Sequence, residues 1–117
     1  IDLRLPVDLD VATLKAFVHS IQGDARVTYS HMEAPVRVGK GNRLVTSFMR
    51  AIRSNDGEVK FKLKSGTSDM NVLQAYGVPM VTYGPGDATL DHTPDEHLDL
   101  DEYGRAVSVL TGVLKML

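Results

Sequence analysis

Between Gly84 and His97 the chain reads Gly-Pro-Gly-Asp-Ala-Thr-Leu-Asp-His-Thr-Pro-Asp-Glu-His, which sets two imidazoles and four carboxylates in a loop stiffened by Pro85 and Pro94. That mixture suits a hard or borderline divalent cation better than it suits a core. The chain has no cysteine, so any metal ligand has to be His, Asp or Glu. A catalytic zinc usually takes three protein ligands and keeps a position open for water. One such loop is therefore an incomplete site, and its other ligands must come from elsewhere in the chain or from another chain. His92 is the candidate ligand. Asp91, Asp95 and Glu96 lie close enough in sequence to hold the second nitrogen of a ligating imidazole, and Glu96 is the preferred partner. A loop histidine capping a turn and a solvated carboxylate before a helix are the structural alternatives. His19, on a predicted helix, and His31, in a predicted strand, are expected to be ordinary surface or satisfied histidines.

Two other features could bind a ligand, and a third only looks as if it could. Gly66-Thr67-Ser68-Asp69 is a Gly-rich turn into a helix, whose backbone N–H groups and two hydroxyls can converge on an anion such as a carboxylate. The same residues also make a plain N-cap through Ser68 or Asp69. Arg4 interrupts an apolar run with a planar fork of donors that can grip a carboxylate bidentately. Gly39-Lys40-Gly41-Asn42 resembles a phosphate loop only superficially: it lacks the full spacing and a preceding buried strand, and reads as a linker.

The elements that must position these residues follow from periodicity. Ile1, Leu3 and Leu5 alternate with Asp2 and Arg4 as in a half-buried strand, which Pro6 ends. Asp8 or Asp10 can cap a helix with Leu14, Phe17, Val18 and Ile21 on one face, stopped at Gly23. Ala25 to Met32 reads as a second strand. After a connector over Pro35 to Gly41, Asn42 can cap a helix that buries Leu44, Val45, Phe48, Met49 and Ile52, with Asn55-Asp56-Gly57 as its stop. Val59, Phe61 and Leu63 alternate with lysines as a strand with one wet face, and a short helix runs from Ser68 to about Tyr76. Val78 to Tyr83 is a continuous apolar run, the pattern of a parallel strand covered on both faces. The metal-type loop leaves its carboxyl end, where open α/β sheets bind ligands. Asp99 and Glu102 form a capping box for a last helix whose buried face is Tyr103, Ala106, Val107, Leu110, Val113, Leu114 and Leu117. The predicted class is α/β, in the order βαβ then αβαβα. Because Ile1 to Leu5 already reads as a strand, the chain is expected to begin within an element and to be a piece of something longer.

At 117 residues and 43% hydrophobic content the chain has the length of one ordinary domain. Thirteen basic and 15 acidic side chains, a formal net charge of −2, are mixed along it. No polybasic stripe points to nucleic acid or to an anionic membrane, and no apolar run approaches the roughly 20 residues of a span. A cytoplasmic protein is expected.

Gly66-Thr67-Ser68-Asp69, the run from Gly77 through Val78-Pro79-Met80-Val81-Thr82-Tyr83 to Gly86, and Leu90-Asp91-His92-Thr93-Pro94-Asp95-Glu96 closely resemble the C-terminal part of the zinc-dependent aminoacylase and carboxypeptidase family. The likeness is greatest to the acetyl-lysine deacetylase group, hydrolases that free lysine or ornithine from a blocked α-amino group. It extends to acetylornithine deacetylases and succinyl-diaminopimelate desuccinylases. The resemblance implies half of a ferredoxin-like lid or dimerisation domain (βαβ) over residues 1–36, in which Asp2-Leu3-Arg4 matches a lid strand. Residues 37–117 would be the C-terminal αβαβα part of a zinc-peptidase-like catalytic domain. It further implies that the His-x-Asp motif, the bridging Asp, the Glu-Glu pair with the catalytic base and a lid histidine lie upstream of Ile1. His92 matches the last metal ligand, Glu96 and Asp91 stand behind it, and Gly66, Thr67, Ser68 and Arg4 match substrate-binding positions. His97 falls where members of the family tolerate many residues, which implies a structural or exposed histidine. Asn71 stands where members with other substrates can carry Arg. The implied cofactors are two zinc or cobalt ions per full-length subunit, at most weakly bound by these residues. The implied partners are an N-acylated amino acid, the missing N-terminal part of the same protein, and a second subunit. No catalytic residue is expected within the chain, which should be inactive alone. A non-catalytic dimerisation or binding module is the alternative, and a one-histidine regulatory metal site a third reading.

Overall fold

A computed structural model describes residues 1, 3–63 and 68–117. These fall into two compact units, one of Ile1–Arg37 with Lys62–Val78 and the other of Val38–Phe61 with Pro79–Leu117.

The first unit holds helix α1, Val11–Ile21, and helix α3, Asp69–Leu73, which continues into a 3-10 turn over Gln74–Tyr76. Asp10, not Asp8, caps α1. Its carboxylate accepts the Thr13 N–H at 2.8 Å and the Thr13 hydroxyl at 2.6 Å. The hydroxyl bond first, then the N–H, holds the Asp10 carboxyl below its ordinary value. Gly23, at φ 56, takes the left-handed conformation just past the helix, as a stop residue should. On the expected buried face of α1, Leu14 and Val18 are half-buried, Phe17 and Ile21 are 60% and 65% exposed, and no residue of the helix is fully buried. Lys15 places its ammonium 5.2 Å from the Tyr29 ring centroid, a cation–π tie from α1 to the following segment.

The second unit is organised by two helices, α2 over Arg43–Ser54 and α4 over Leu100–Met116. Asn42 caps α2 by accepting the Val45 N–H at 2.9 Å. The far end closes as a Schellman motif: Gly57 N–H donates to the Ile52 carbonyl at 2.9 Å and Asp56 N–H to the Arg53 carbonyl at 3.2 Å. Asp56, at φ 55, occupies the left-handed position that usually belongs to glycine. The core lies between α2 and α4, where Ala51, Val109 and Val113 are buried and Leu44, Phe48, Ile52, Tyr83 and Met116 pack around them. Small residues let the helices approach, since a Cβ added at Gly112 would stand 3.4 Å from that of Ala51. Arg43 crosses between the helices to donate to the Met116 carbonyl at 2.9 Å, satisfying one of the orphan acceptors at the end of α4.

The expected buried face is corrected on α4, and on α2 it holds with two small residues added. On α4 the structure buries Ala106, Val109 and Val113, whereas Tyr103, Val107, Leu110, Leu114 and Leu117 are 41–74% exposed. On α2 the fully buried residues are Val45, Ser47 and Ala51, and Leu44, Phe48, Met49 and Ile52 are half-buried around them. The physical reason is shared: at the line of closest approach small side chains are enclosed first, and larger ones flank it. Of the segments expected as strands, none forms a ladder among the described residues. Val78 in the run before the loop is 53% exposed. A parallel strand is covered on both faces only when paired neighbours carry helices over it, and alternation in one segment does not supply those neighbours.

Candidate metal-ligand loop

The loop from Gly84 to Asp99 is tied to the core of the second unit at both ends. Tyr83, immediately before it, stacks obliquely on Phe48 of α2 with ring centroids 5.2 Å apart. Asp99, immediately after it, caps α4 by accepting the Glu102 N–H at 2.8 Å. Glu102 does not return the bond to Asp99 as a reciprocal capping box would. Its Oε1 reaches across 16 residues to accept the Gly86 N–H at 3.2 Å, stitching the start of the loop to the first turn of α4. Burial, and after it the Glu102 carboxylate, raises the Tyr83 phenol above its ordinary value.

Inside the loop the backbone folds as a series of turns stepping by three residues. Leu90 N–H donates to the Asp87 carbonyl at 2.9 Å, Thr93 N–H to Leu90 at 3.0 Å and Glu96 N–H to Thr93 at 3.2 Å. The Asp87 carboxylate adds an Asx turn to Thr89 N–H at 2.9 Å, and the Thr93 hydroxyl donates to the Leu90 carbonyl at 2.8 Å. His97 is exposed and its Nδ1 lies 2.7 Å from the Asp95 carbonyl, the local role expected of it.

His92 stands at the centre of this series with φ 66, in the left-handed region that a β-carbon disfavours. Its backbone N–H donates to Glu96 Oε2 at 2.9 Å. Glu96 is thus brought to His92, but against its backbone rather than its ring. The ring is exposed, and no hydrogen bond to it occurs among the described residues. Asp91 is half-buried beside it. A left-handed, pinned backbone presenting an open imidazole fits one position of a metal shell. It does not fit a whole shell: among the described residues no three His, Asp or Glu side chains gather around a common point.

Of the remaining predicted residues, Arg4 and Ser68 belong to the first unit. Arg4 is exposed. Gly66 and Thr67 lie outside the described residues. Ser68 is the N-cap of α3, where its N–H donates to Asn71 Oδ1 at 2.9 Å and its carbonyl accepts the Asn71 N–H at 2.9 Å. The other end of the Asn71 amide donates to the Ala34 carbonyl at 2.9 Å, which Gln74 also reaches at 3.0 Å. Asn71 is therefore a clamp holding α3 to the segment around Ala34. Neither that clamp nor the reach of Glu102 had a signal in local spacing, because both join residues far apart in sequence.

Among the described residues no helix is long and apolar enough to cross a membrane. Comparison with known proteins gives related chains over the full length. The chain is 47% identical over 120 residues, all of its length, to a [LysW]-lysine hydrolase of Deinococcus radiodurans, of which it covers 33%. It is 46% identical over 82 residues, 69% of its length, to a putative [LysW]-lysine/[LysW]-ornithine hydrolase of Thermococcus kodakarensis, of which it covers 24%. A [LysW]-lysine/[LysW]-ornithine hydrolase of Sulfurisphaera tokodaii is 30% identical over all of the chain, which covers 34% of that protein. The chain thus spans about a third of the length of the curated relatives that match it throughout. The model of peptidase family M20/M25/M40 matches residues 6–116, and the chain belongs to that family.

Proposed function

We propose that this chain contributes one metal ligand and part of the substrate pocket to a metal-dependent amide hydrolase, which releases lysine or ornithine from a precursor blocked on nitrogen. The observation that carries the reading is His92: a strained, pinned residue whose imidazole is left open at the surface. Left-handed conformations at non-glycine residues cost free energy and persist where the surroundings enforce them, often at functional sites. The relatives' names favour LysW as the blocking group, and amino-acid biosynthesis is the setting proposed. A soluble, cytoplasmic homodimer is part of the proposal. So is the architecture, a βαβ half-lid over residues 1–36 and an αβαβα part of a catalytic domain over residues 37–117.

In this reading His92 offers a ring nitrogen to zinc or cobalt, and Glu96 fixes the backbone from which the ring projects. Asp91 lies beside it as a further carboxylate. A bound metal pair would supply Lewis-acid polarisation of the scissile carbonyl and a water of lowered pKa. Gly66, Thr67 and Ser68 supply donors for the substrate carboxylate, and Arg4 supplies a bidentate cation for it. The proton acceptor and the other ligands come from sequence outside these 117 residues, in keeping with the share of the relatives that the chain covers.

The test is hydrolysis of an N-blocked lysine by a polypeptide of the relatives' length that contains this chain. His92→Asn is expected to abolish turnover, and Glu96→Gln to lower it by about 10- to 100-fold, the usual cost of losing a residue behind a ligand. The 117-residue chain alone is expected to show none. Undiminished activity in His92→Asn, or turnover by the 117 residues alone, sinks the proposal.

A further inference from the structure

Residues 86–98 form a loop whose two ends meet. The Leu98 side chain closes over Gly86, with its Cδ1 3.8 Å from where a β-carbon on that glycine would stand. Gly86 itself, at φ 95, takes a conformation that a β-carbon disfavours. His92 sits midway between the two ends. Compact surface loops whose ends meet are frequently functional. The neck of this one is held from α4, where half-buried Glu102 accepts the Gly86 N–H at 3.2 Å. A glutamate three residues after an N-cap ordinarily turns back on the cap's own backbone N–H. Glu102 instead turns to the loop, and Asp99 caps the helix from the other side. The free N–H groups of the first helical turn favour a carboxylate there. Glu102 also acts on Tyr83, whose phenol burial first and then this carboxylate push up, and Tyr83 is anchored on Phe48 of α2.

We propose that Glu102 is a positioning residue for metal binding: by holding the Gly86 amide it fixes the neck of the loop, and with it the place from which the His92 imidazole is presented. The inference rests on the reading of His92 as a metal ligand. The three-residue turns and the His92–Glu96 bond lie within the loop and set its shape. The Glu102 bond carries that shape onto the two-helix core. A ligand must be held to within about 0.5 Å of its productive place, so a loop released at its neck would bind metal less well even with its internal turns intact.

Acceptor and charge can be separated. Glu102→Gln keeps an oxygen within reach of the Gly86 N–H and loses the charge. Glu102→Asp keeps the charge at the helix terminus and is a methylene too short to reach. Both are compared with the native sequence and with His92→Asn in a metal-free polypeptide of the relatives' length. Calorimetry gives the Zn2+ affinity, and hydrogen exchange followed by mass spectrometry gives the opening of a peptide spanning residues 84–98. Glu102→Asp is expected to weaken Zn2+ binding by about 10-fold and to speed exchange of the loop amides by about 10-fold, with the urea midpoint retained, while Glu102→Gln stays within about threefold of native in both. Either quantity unchanged in Glu102→Asp overturns the proposal. So do equal effects of the two variants, or a loss in Glu102→Gln that Glu102→Asp does not show, since the charge and not the bond would then matter. Zn2+ affinity that falls in His92→Asn but not in Glu102→Asp refutes only the positioning role. Affinity unchanged by His92→Asn refutes the reading of His92 as a ligand.

Discussion

Replacing His92 by glycine should make the fold more stable. The residue sits at φ 66, where a β-carbon costs about 1–2 kcal/mol, and glycine removes that cost. Against this, glycine widens the unfolded ensemble, by roughly 0.5–1 kcal/mol. The ring has no hydrogen bond among the described residues, and the bond that does involve His92 comes from its backbone N–H, which glycine keeps. The net expectation is a gain of about 0.5–1 kcal/mol, a rise of about 0.3–0.7 M in the urea midpoint at an ordinary slope. Circular dichroism at the helical band follows the transition, because α2 and α4 carry the core to which the loop is tied. His92→Ala separates backbone from side chain: it deletes the same ring but retains the β-carbon, and should show no gain. If His92→Gly is no more stable than His92→Ala, the left-handed strain is not real and the argument that function holds His92 in place loses its basis. A more stable variant that has lost metal affinity is the stability–activity conflict expected of a functional residue.

Three further outcomes follow from the second unit. Asp56→Gly should stabilise by up to about 1 kcal/mol, since it relieves a left-handed residue in the Schellman turn; Gly57→Ala should destabilise by about 1–3 kcal/mol, because its Cβ would lie 2.8 Å from Ile52 Cγ2 and 3.0 Å from the Ile52 carbonyl oxygen. Thermal melts of the pair give opposite signs. Gly112→Ala should be neutral or stabilising by up to about 1 kcal/mol, as a helix-interior glycine is removed at a contact of 3.4 Å, whereas Gly112→Val should cost about 1–3 kcal/mol by wedging α2 from α4. Urea titration distinguishes them. The raised Tyr83 phenol sets a pH dependence: the unfolded chain gives up this proton first, so the contribution is complete below the ordinary value of 10.0 and is lost as pH rises from there through the folded value. Urea midpoints between pH 8 and 11 should show a decline that Tyr83→Phe lessens.

What the sequence made legible was local. The caps at Asp10, Asn42 and Asp99, the stop at Asn55-Asp56-Gly57 and the short helix after Ser68 each depend on residues three or four apart, and each stands in the structure. The buried sector of α4 was only half legible. Periodicity groups Tyr103, Val107, Leu110 and Leu114 with Ala106 and Val113 as one apolar face, but cannot say which edge of it meets a neighbour. Ser47, Ala51 and Gly112 went unread for the opposite reason: small residues carry no hydrophobic signal, yet they set how closely two helices pack. In the candidate site, the acidic loop and His92 were visible from composition and spacing. The form of the His92–Glu96 contact was not, because a choice between backbone and ring depends on a φ angle that spacing does not fix.

The proposed function requires that the His92 imidazole completes a metal shell whose other members lie outside this chain. Calorimetric titration of Zn2+ into a metal-free polypeptide of the relatives' length tests it most directly, comparing the native sequence with His92→Asn. The substitution is expected to remove one binding event or weaken it by at least about 100-fold, while the folded state, checked by its urea midpoint, is retained. Identical stoichiometry and affinity in the two proteins would contradict it.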